Sequence, residues 1–147
     1  MADTLDLAAF VPYQLSVASN VVSDLIAKNY QARFGLKIPE WRLMAVLGQG
    51  QAKTQRDLVN ATRMDKVTVS RAATALAERG LVSRAASERD GRSHLLALTA
   101  TGAVLYDEIA PAALVMEQAV LACLSLDEQL ALSAMLVRLR DAADALG

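Results

Sequence analysis

The sequence predicts a mainly α-helical fold carrying one small β-hairpin, on three observations. Ala and Leu are abundant in a chain that is 54% hydrophobic and only 4% aromatic, and both are strong helix formers where β-branched runs are few. Apolar residues recur in steps of three and four along much of the chain. One Asp-Gly pair, Asp90-Gly91, stands between two short segments, as in a hairpin turn. The 147 residues are about one domain's worth and hold ample apolar material for a core.

The first helix is expected over 12–34, where Leu15, Ala18, Val22, Leu25, Ile26 and Tyr30 form one stripe and Gly35 ends the run. Pro39 suits the first turn of a second helix, where its missing N–H would be unpaired in any case. Trp41, Met44, Ala45 and Leu47 follow, and Gly48-Gln49-Gly50 stops that helix. Thr54 can cap a third, with Asp57 placed as in a capping box and Leu58 and Val59 on the buried side. Asp65 is the expected N-cap of a fourth helix reaching Arg79, with Val67, Ala72 or Ala75, Leu76 and the tail of Arg79 as its inner edge. Gly80 suits the left-handed position that ends helices. Segments 81–86 and 93–98 are the expected strands of the hairpin. Thr99 can cap a long fifth helix, bent near Pro111, and Ser125 a sixth with Leu126, Leu130, Ala134, Val137 and Leu139 as its apolar positions.

Net charge is −1, but its distribution is uneven. Between Lys53 and Ser93 nine basic residues meet five acidic ones, a net of +4, which leaves −5 on the remainder. Exposed charges are screened beyond about 10 Å in ordinary salt, so this local balance is what a polyanion would meet. The first residues lack the positive charge that begins a secretory signal, and no apolar run approaches the roughly 20 residues of a membrane span. The expectation is a cytoplasmic chain without membrane contact. One cysteine, Cys123, excludes an internal disulfide and a multi-cysteine zinc site, and the sole histidine, His94, has no partner cluster at metal-ligand spacing. No nucleophile–base pair is legible, so neither an enzyme nor a cofactor or metal is expected.

Two short helices joined by a tight turn and followed by a basic hairpin describe a winged helix-turn-helix, whose second helix enters the major groove. That helix begins Lys66-Val67-Thr68-Val69-Ser70-Arg71. Thr68 and Ser70 can bond bases or phosphates, Val67 or Val69 can meet a thymine methyl, and Arg71 can read guanine or grip phosphate. Lys66 and Gln55 are placed for backbone contacts, and Thr54 puts a helix N-terminus near a phosphate. In the hairpin turn, Arg89 and Arg92 can enter the minor groove, with Asp90 placed to orient Arg92. The same residues read alternatively as a solvated helix face and a surface hairpin.

The runs Ile38-Pro39-Glu40-Trp41-Arg42-Leu43, Lys66 to Arg71, Leu76-Ala77-Glu78-Arg79-Gly80-Leu81-Val82 and Asp90-Gly91-Arg92 with Leu98-Thr99-Ala100-Thr101-Gly102 resemble the multiple antibiotic resistance regulator (MarR) family. They fall in order at that family's spacing, and the resemblance covers about 8–147. It implies one domain over 1–147, with a DNA-binding lobe at 36–98 and dimerisation helices at 8–34 and 99–147. It further implies a homodimeric regulator, a repressor, bound to palindromic double-stranded operator DNA and released by a small effector, often an aromatic acid. Thr68, Ser70 and Arg71 match recognition-helix positions, and Asp90 and Arg92 the wing-tip pair. Gly91 stands where many members carry another arginine, so this wing is less charged than usual. Terminal helices with apolar stripes need a partner to cover them, and an isologous dimer supplies one.

In that family ligands sit between the dimerisation helices and the DNA-binding lobe. Ser16, Asn20, Trp41, Arg42, Met44 and Tyr106 are the residues that could line such a site, although Trp41 and Met44 also read as core. The run Pro12-Tyr13-Gln14-Leu15-Ser16 with Ser19-Asn20 is similar to members that sense aromatic acids or their CoA thioesters. Two other readings compete: a winged-helix protein–protein adaptor, and a redox-sensing regulator using Cys123. Relatives of the latter kind carry their reactive cysteine in the first helix, and Cys123 among Leu121, Ala122 and Leu124 reads as a buried, inert thiol.

Overall fold

Six helices and a three-stranded antiparallel sheet make up the computed structural model, which describes residues 3–86 and 94–147. After a 3-10 turn at Leu7–Ala9 come α1 (Val11–Phe34), α2 (Ile38–Leu47), β1 (Lys53–Thr54), α3 (Gln55–Thr62), α4 (Lys66–Glu78), β2 (Val82–Ala86), β3 (His94–Leu98), α5 (Ala100–Leu121) and α6 (Leu126–Leu146). They form two compact units, Met1–Ala113 and Leu114–Gly147.

Local chemistry sets the boundaries. Gly35 ends α1 in the left-handed region at φ 65° and Gly80 follows α4 at φ 70°, a conformation that costs glycine nothing. Thr54 Oγ1 accepts the Asp57 N–H at 3.1 Å while Asp57 accepts the Thr54 N–H at 3.0 Å, a reciprocal box that starts α3. Asp65 starts α4 by accepting the Thr68 N–H at 2.8 Å. Ser125 and Glu128 repeat the reciprocal arrangement at α6, at 2.9 and 3.1 Å. α5 is one continuous helix through Pro111.

The expected hairpin, β2 with β3, supplies two strands of a three-stranded sheet. β3 is central, in the order β1-β3-β2. Arg84 faces Leu96 on one side and Lys53 faces Leu96 on the other. β1 has only two residues, too few to carry a period, and it is defined by pairing with a segment some forty residues away.

The core belongs to the first unit. Leu36, Leu43, Met44, Leu58, Val69, Leu76, Leu96 and Ile109 are fully buried there, drawn from α2, α3, α4, β3 and α5 and from the α1–α2 connection. Each such side chain contributes roughly 1.5–3 kcal/mol relative to exposure. The inner edge of α4 is Val69, Ala72, Ala73 and Leu76, an i, i+3, i+4, i+7 set. This corrects two expectations: Val67 faces outward, and Val69 takes its place inside. Arg79 ends α4 by donating from its guanidinium to the Phe34 carbonyl at 2.7 Å, a cation at the negative end of α1. The second unit buries no residue fully, and α6 is exposed along Leu126, Leu130, Ala134, Val137 and Leu139.

Candidate nucleic-acid interface

The phase that buries Val69, Ala72, Ala73 and Leu76 turns Val67, Ser70, Arg71 and Thr74 outward. α3 lies alongside, and the two helices enclose an open cleft of about 830 Å³ lined by Gln55, Arg56, Val59, Asn60, Lys66, Val67, Ser70 and Arg71. Arg56, Lys66 and Arg71 are exposed, and none forms an ion pair among the described residues. Three uncompensated cations beside amide and hydroxyl groups suit a phosphate backbone and base edges.

The two caps put negative charge at the helix starts, not in the cleft. The Thr68 N–H holds the Asp65 carboxyl below the usual carboxylate range, with the Thr68 hydroxyl adding to the effect. The backbone N–H of Thr54 lowers Asp57 in the same way. Both stay ionised and keep α3 and α4 rigidly started. The Thr68 hydroxyl itself donates to Asp65 at 2.8 Å, so its donor is committed and only lone pairs remain for a ligand.

The expected DNA-contacting residues divide by position. Gln55, Lys66, Ser70 and Arg71 line the cleft together, and Thr54 stands at the start of α3. Thr68 is half-buried on the far side of α4, where a smaller cleft also takes in Lys37, Glu40 and Arg71. Val69 is the correction: at 0% exposure it is core and presents nothing to a base. Arg89, Asp90 and Arg92 lie outside the described residues. Sequence reasoning missed Arg56 and Asn60, although their i, i+4 spacing on the polar side of α3 signals one face. It also gave no role to Arg84, which reaches from β2 to the Thr74 hydroxyl of α4 at 3.1 Å.

The expected effector residues are only partly brought together. Trp41 lies between Tyr30 and Tyr106, with ring centroids 5.6 and 5.8 Å away, separations typical of attractive aromatic pairs. Burial raises the Tyr30 phenol above its ordinary range. Tyr106 rests on Gly48, where a Cβ would come within 2.5 Å of the ring. Arg42 is exposed, and Ser16 and Asn20 lie on the exposed stretch of α1 over 11–21. Met44 is corrected to core, fully buried with no surface for a ligand. Cys123 is also corrected. It is exposed in the turn after α5, in a unit that buries no residue fully, with its Sγ 3.4 Å from the Val120 carbonyl oxygen. Among the described residues no cluster of three or more His, Cys, Asp or Glu could hold a metal, and no single helix is long and apolar enough to cross a membrane.

Residues 34–93 match the sequence pattern of the MarR family. No curated protein matches the chain in sequence. A probable transcriptional regulator from Pseudomonas aeruginosa is 31% identical, over 91% of this chain and 99% of that one, with a TM-score of 0.80. The PcaV transcriptional regulator from Streptomyces coelicolor, solved in complex with its natural ligand, is 24% identical over 97% and 99% of the two chains, with a TM-score of 0.82. A putative MarR family regulator from Listeria monocytogenes, complexed with a 26mer DNA, is 19% identical over 96% and 89%, with a TM-score of 0.81.

Proposed function

Because this chain belongs to the MarR family of transcriptional regulators, we propose that it is a repressor whose homodimer binds palindromic operator DNA through α4 and is released by a small ligand. The observation that carries this reading is the cleft between α3 and α4, with Arg56, Lys66 and Arg71 unpaired among the described residues beside Ser70 and Gln55. A fold neighbour was solved on a 26mer DNA. In this reading α4 lies in the major groove, Lys66 and Arg56 hold phosphates, and Ser70 and Arg71 read base edges. Arg89, Asp90 and Arg92 address the adjacent minor groove. The lobe over 36–98 does the binding, while 8–34 and 99–147 form the dimer.

The apolar residues left uncovered support that dimer. Phe10, Val11, Leu15, Val17 and Val21 on and before α1, and Leu126, Leu130 and Leu139 on α6, are all exposed in the single chain. A second copy would cover them and set two recognition helices about 34 Å apart, one turn of B-DNA. The effector is an aromatic acid or its CoA thioester, received beside Trp41 and Tyr106 with Arg42, Ser16 and Asn20 as polar partners. A fold neighbour carries a bound natural ligand. Effector release then requires different affinities for DNA-competent and incompetent helix spacings.

A mobility shift with DNA from the gene's own upstream region, run across a salt series, tests the reading. Binding that strengthens as salt falls and prefers a palindrome supports it. Binding without salt dependence, or without preference for a palindrome, sinks it.

A further inference from the structure

We propose that Val67 recognises the C5-methyl group of a pyrimidine in the major groove, and so specifies one base in each half-site; this rests on the DNA-binding reading above. Val67 is 57% exposed, and among the described residues every other exposed large hydrophobic side chain lies within 5–25 or 104–146. Those stretches are the terminal helices and the segments leading into them. Val67 is thus the sole such residue of the lobe that carries the cleft. Single exposed apolar residues are common on protein surfaces, but this one has a particular setting. It follows the exposed Lys66 at the start of α4 and shares the cleft with one other apolar residue, Val59, which is half-buried against the core, and with Gln55, Arg56, Asn60, Lys66, Ser70 and Arg71, which are all polar.

A valine cannot hydrogen-bond, so in a cleft of donors and acceptors it adds only apolar contact. The one apolar feature on a major-groove base edge is the C5-methyl, carried by thymine and equally by 5-methylcytosine. The residue's neighbours sharpen the assignment. Thr68 also carries a methyl group but is half-buried on the other side of α4, outside the cleft, and Val69 is buried. No other side chain of the first turn of α4 therefore competes for that methyl, since Lys66 is cationic. Ser70 and Arg71 sit one turn further on, and Thr74 beyond them is held by Arg84, which places Val67 at the end of the reading face nearest the helix start.

The test begins by enriching duplexes from a random pool on the full-length wild-type protein. In the enriched duplex each thymine is replaced in turn by deoxyuridine, which lacks the methyl, and each cytosine by 5-methylcytosine. Dissociation constants are measured for the wild type and for Val67→Ala, whose exposed position leaves the fold intact, as circular dichroism checks. If the methyl is thymine's, deoxyuridine at one position per half-site weakens wild-type binding about four-fold per methyl and leaves Val67→Ala unchanged. If 5-methylcytosine is the natural source, the added methyl strengthens the wild type by the same factor and not the variant. Equal responses of the two proteins at every position overturn the methyl assignment alone. Failure to enrich any duplex overturns the DNA-binding reading, and the assignment with it.

Discussion

The Thr99 hydroxyl donates to the Gly80 carbonyl oxygen across 2.6 Å, and the same oxygen atom of Thr99 accepts the Gly102 N–H at 3.0 Å. One side chain therefore joins the exit of α4 to the start of α5. The Thr99 N–H adds a bond to the Leu81 carbonyl at 3.1 Å. Gly102 completes the joint, because a Cβ there would run into the Leu81 carbonyl oxygen. The Leu-Thr-x-x-Gly run thus has a physical reason: threonine bonds in both directions and glycine admits a backbone carbonyl.

Gly102→Ala is expected to destabilise by about 1–3 kcal/mol, the usual cost of forcing extra volume into a packed site. In an unobstructed helix interior the same change stabilises by roughly 0.5–1 kcal/mol. The sign of the change in denaturant midpoint therefore decides whether the carbonyl contact is present.

Thr99→Val keeps the shape and removes both hydrogen bonds of the hydroxyl. The expected loss is about 1–2 kcal/mol, from the cap and from the Gly80 carbonyl left with one partner fewer. Chemical denaturation measures it; stability equal to wild type would mean that this joint holds nothing.

Asp65 gives a pH dependence with a definite sign. The Thr68 N–H and hydroxyl lower its pKa in the folded chain. Its stabilisation is therefore present above the unfolded carboxylate value, about 3.9, and is lost as pH falls through the lower folded value. Asp65→Ala should melt below wild type at pH 7, and the gap should close on acidification. A gap that stays constant down to about pH 2 would contradict the assigned cap.

Much of this architecture was legible because its boundaries are chemical. Gly35, Thr54, Asp65, Gly80, Thr99 and Ser125 each end or begin an element where their side chains or φ angles require. β1 was not legible, since two residues paired to a distant strand leave no local trace. The phase of α4 was misjudged at Val67 and Val69, although the 69-72-73-76 spacing fixes it once Leu76 is taken as core. Met44 lies on α2 as expected and takes the core reading of the two it was given, whereas the apolar neighbours of Cys123 do not bury it, because it stands in the turn after α5. Arg79 was expected to offer its alkyl tail; what matters is its guanidinium on the Phe34 carbonyl.

Trp41 is the sole tryptophan of the chain, so its fluorescence reports directly on the aromatic stack with Tyr30 and Tyr106. An aromatic acid or CoA thioester that dissociates the protein from DNA should change that emission saturably, and Tyr106→Ala should weaken the response about ten-fold or more. An effector that releases DNA with no change in Trp41 emission would place its site elsewhere.

The central claim, that the outward face of α4 meets DNA, is tested most directly by the salt dependence of binding for wild type and Lys66→Ala. Each phosphate contact contributes about 0.9 to the slope of log affinity against log salt. A dimer presenting Lys66 twice should therefore lose roughly two from a steep wild-type slope while its melting temperature stays unchanged. An identical slope and affinity in Lys66→Ala would contradict the account.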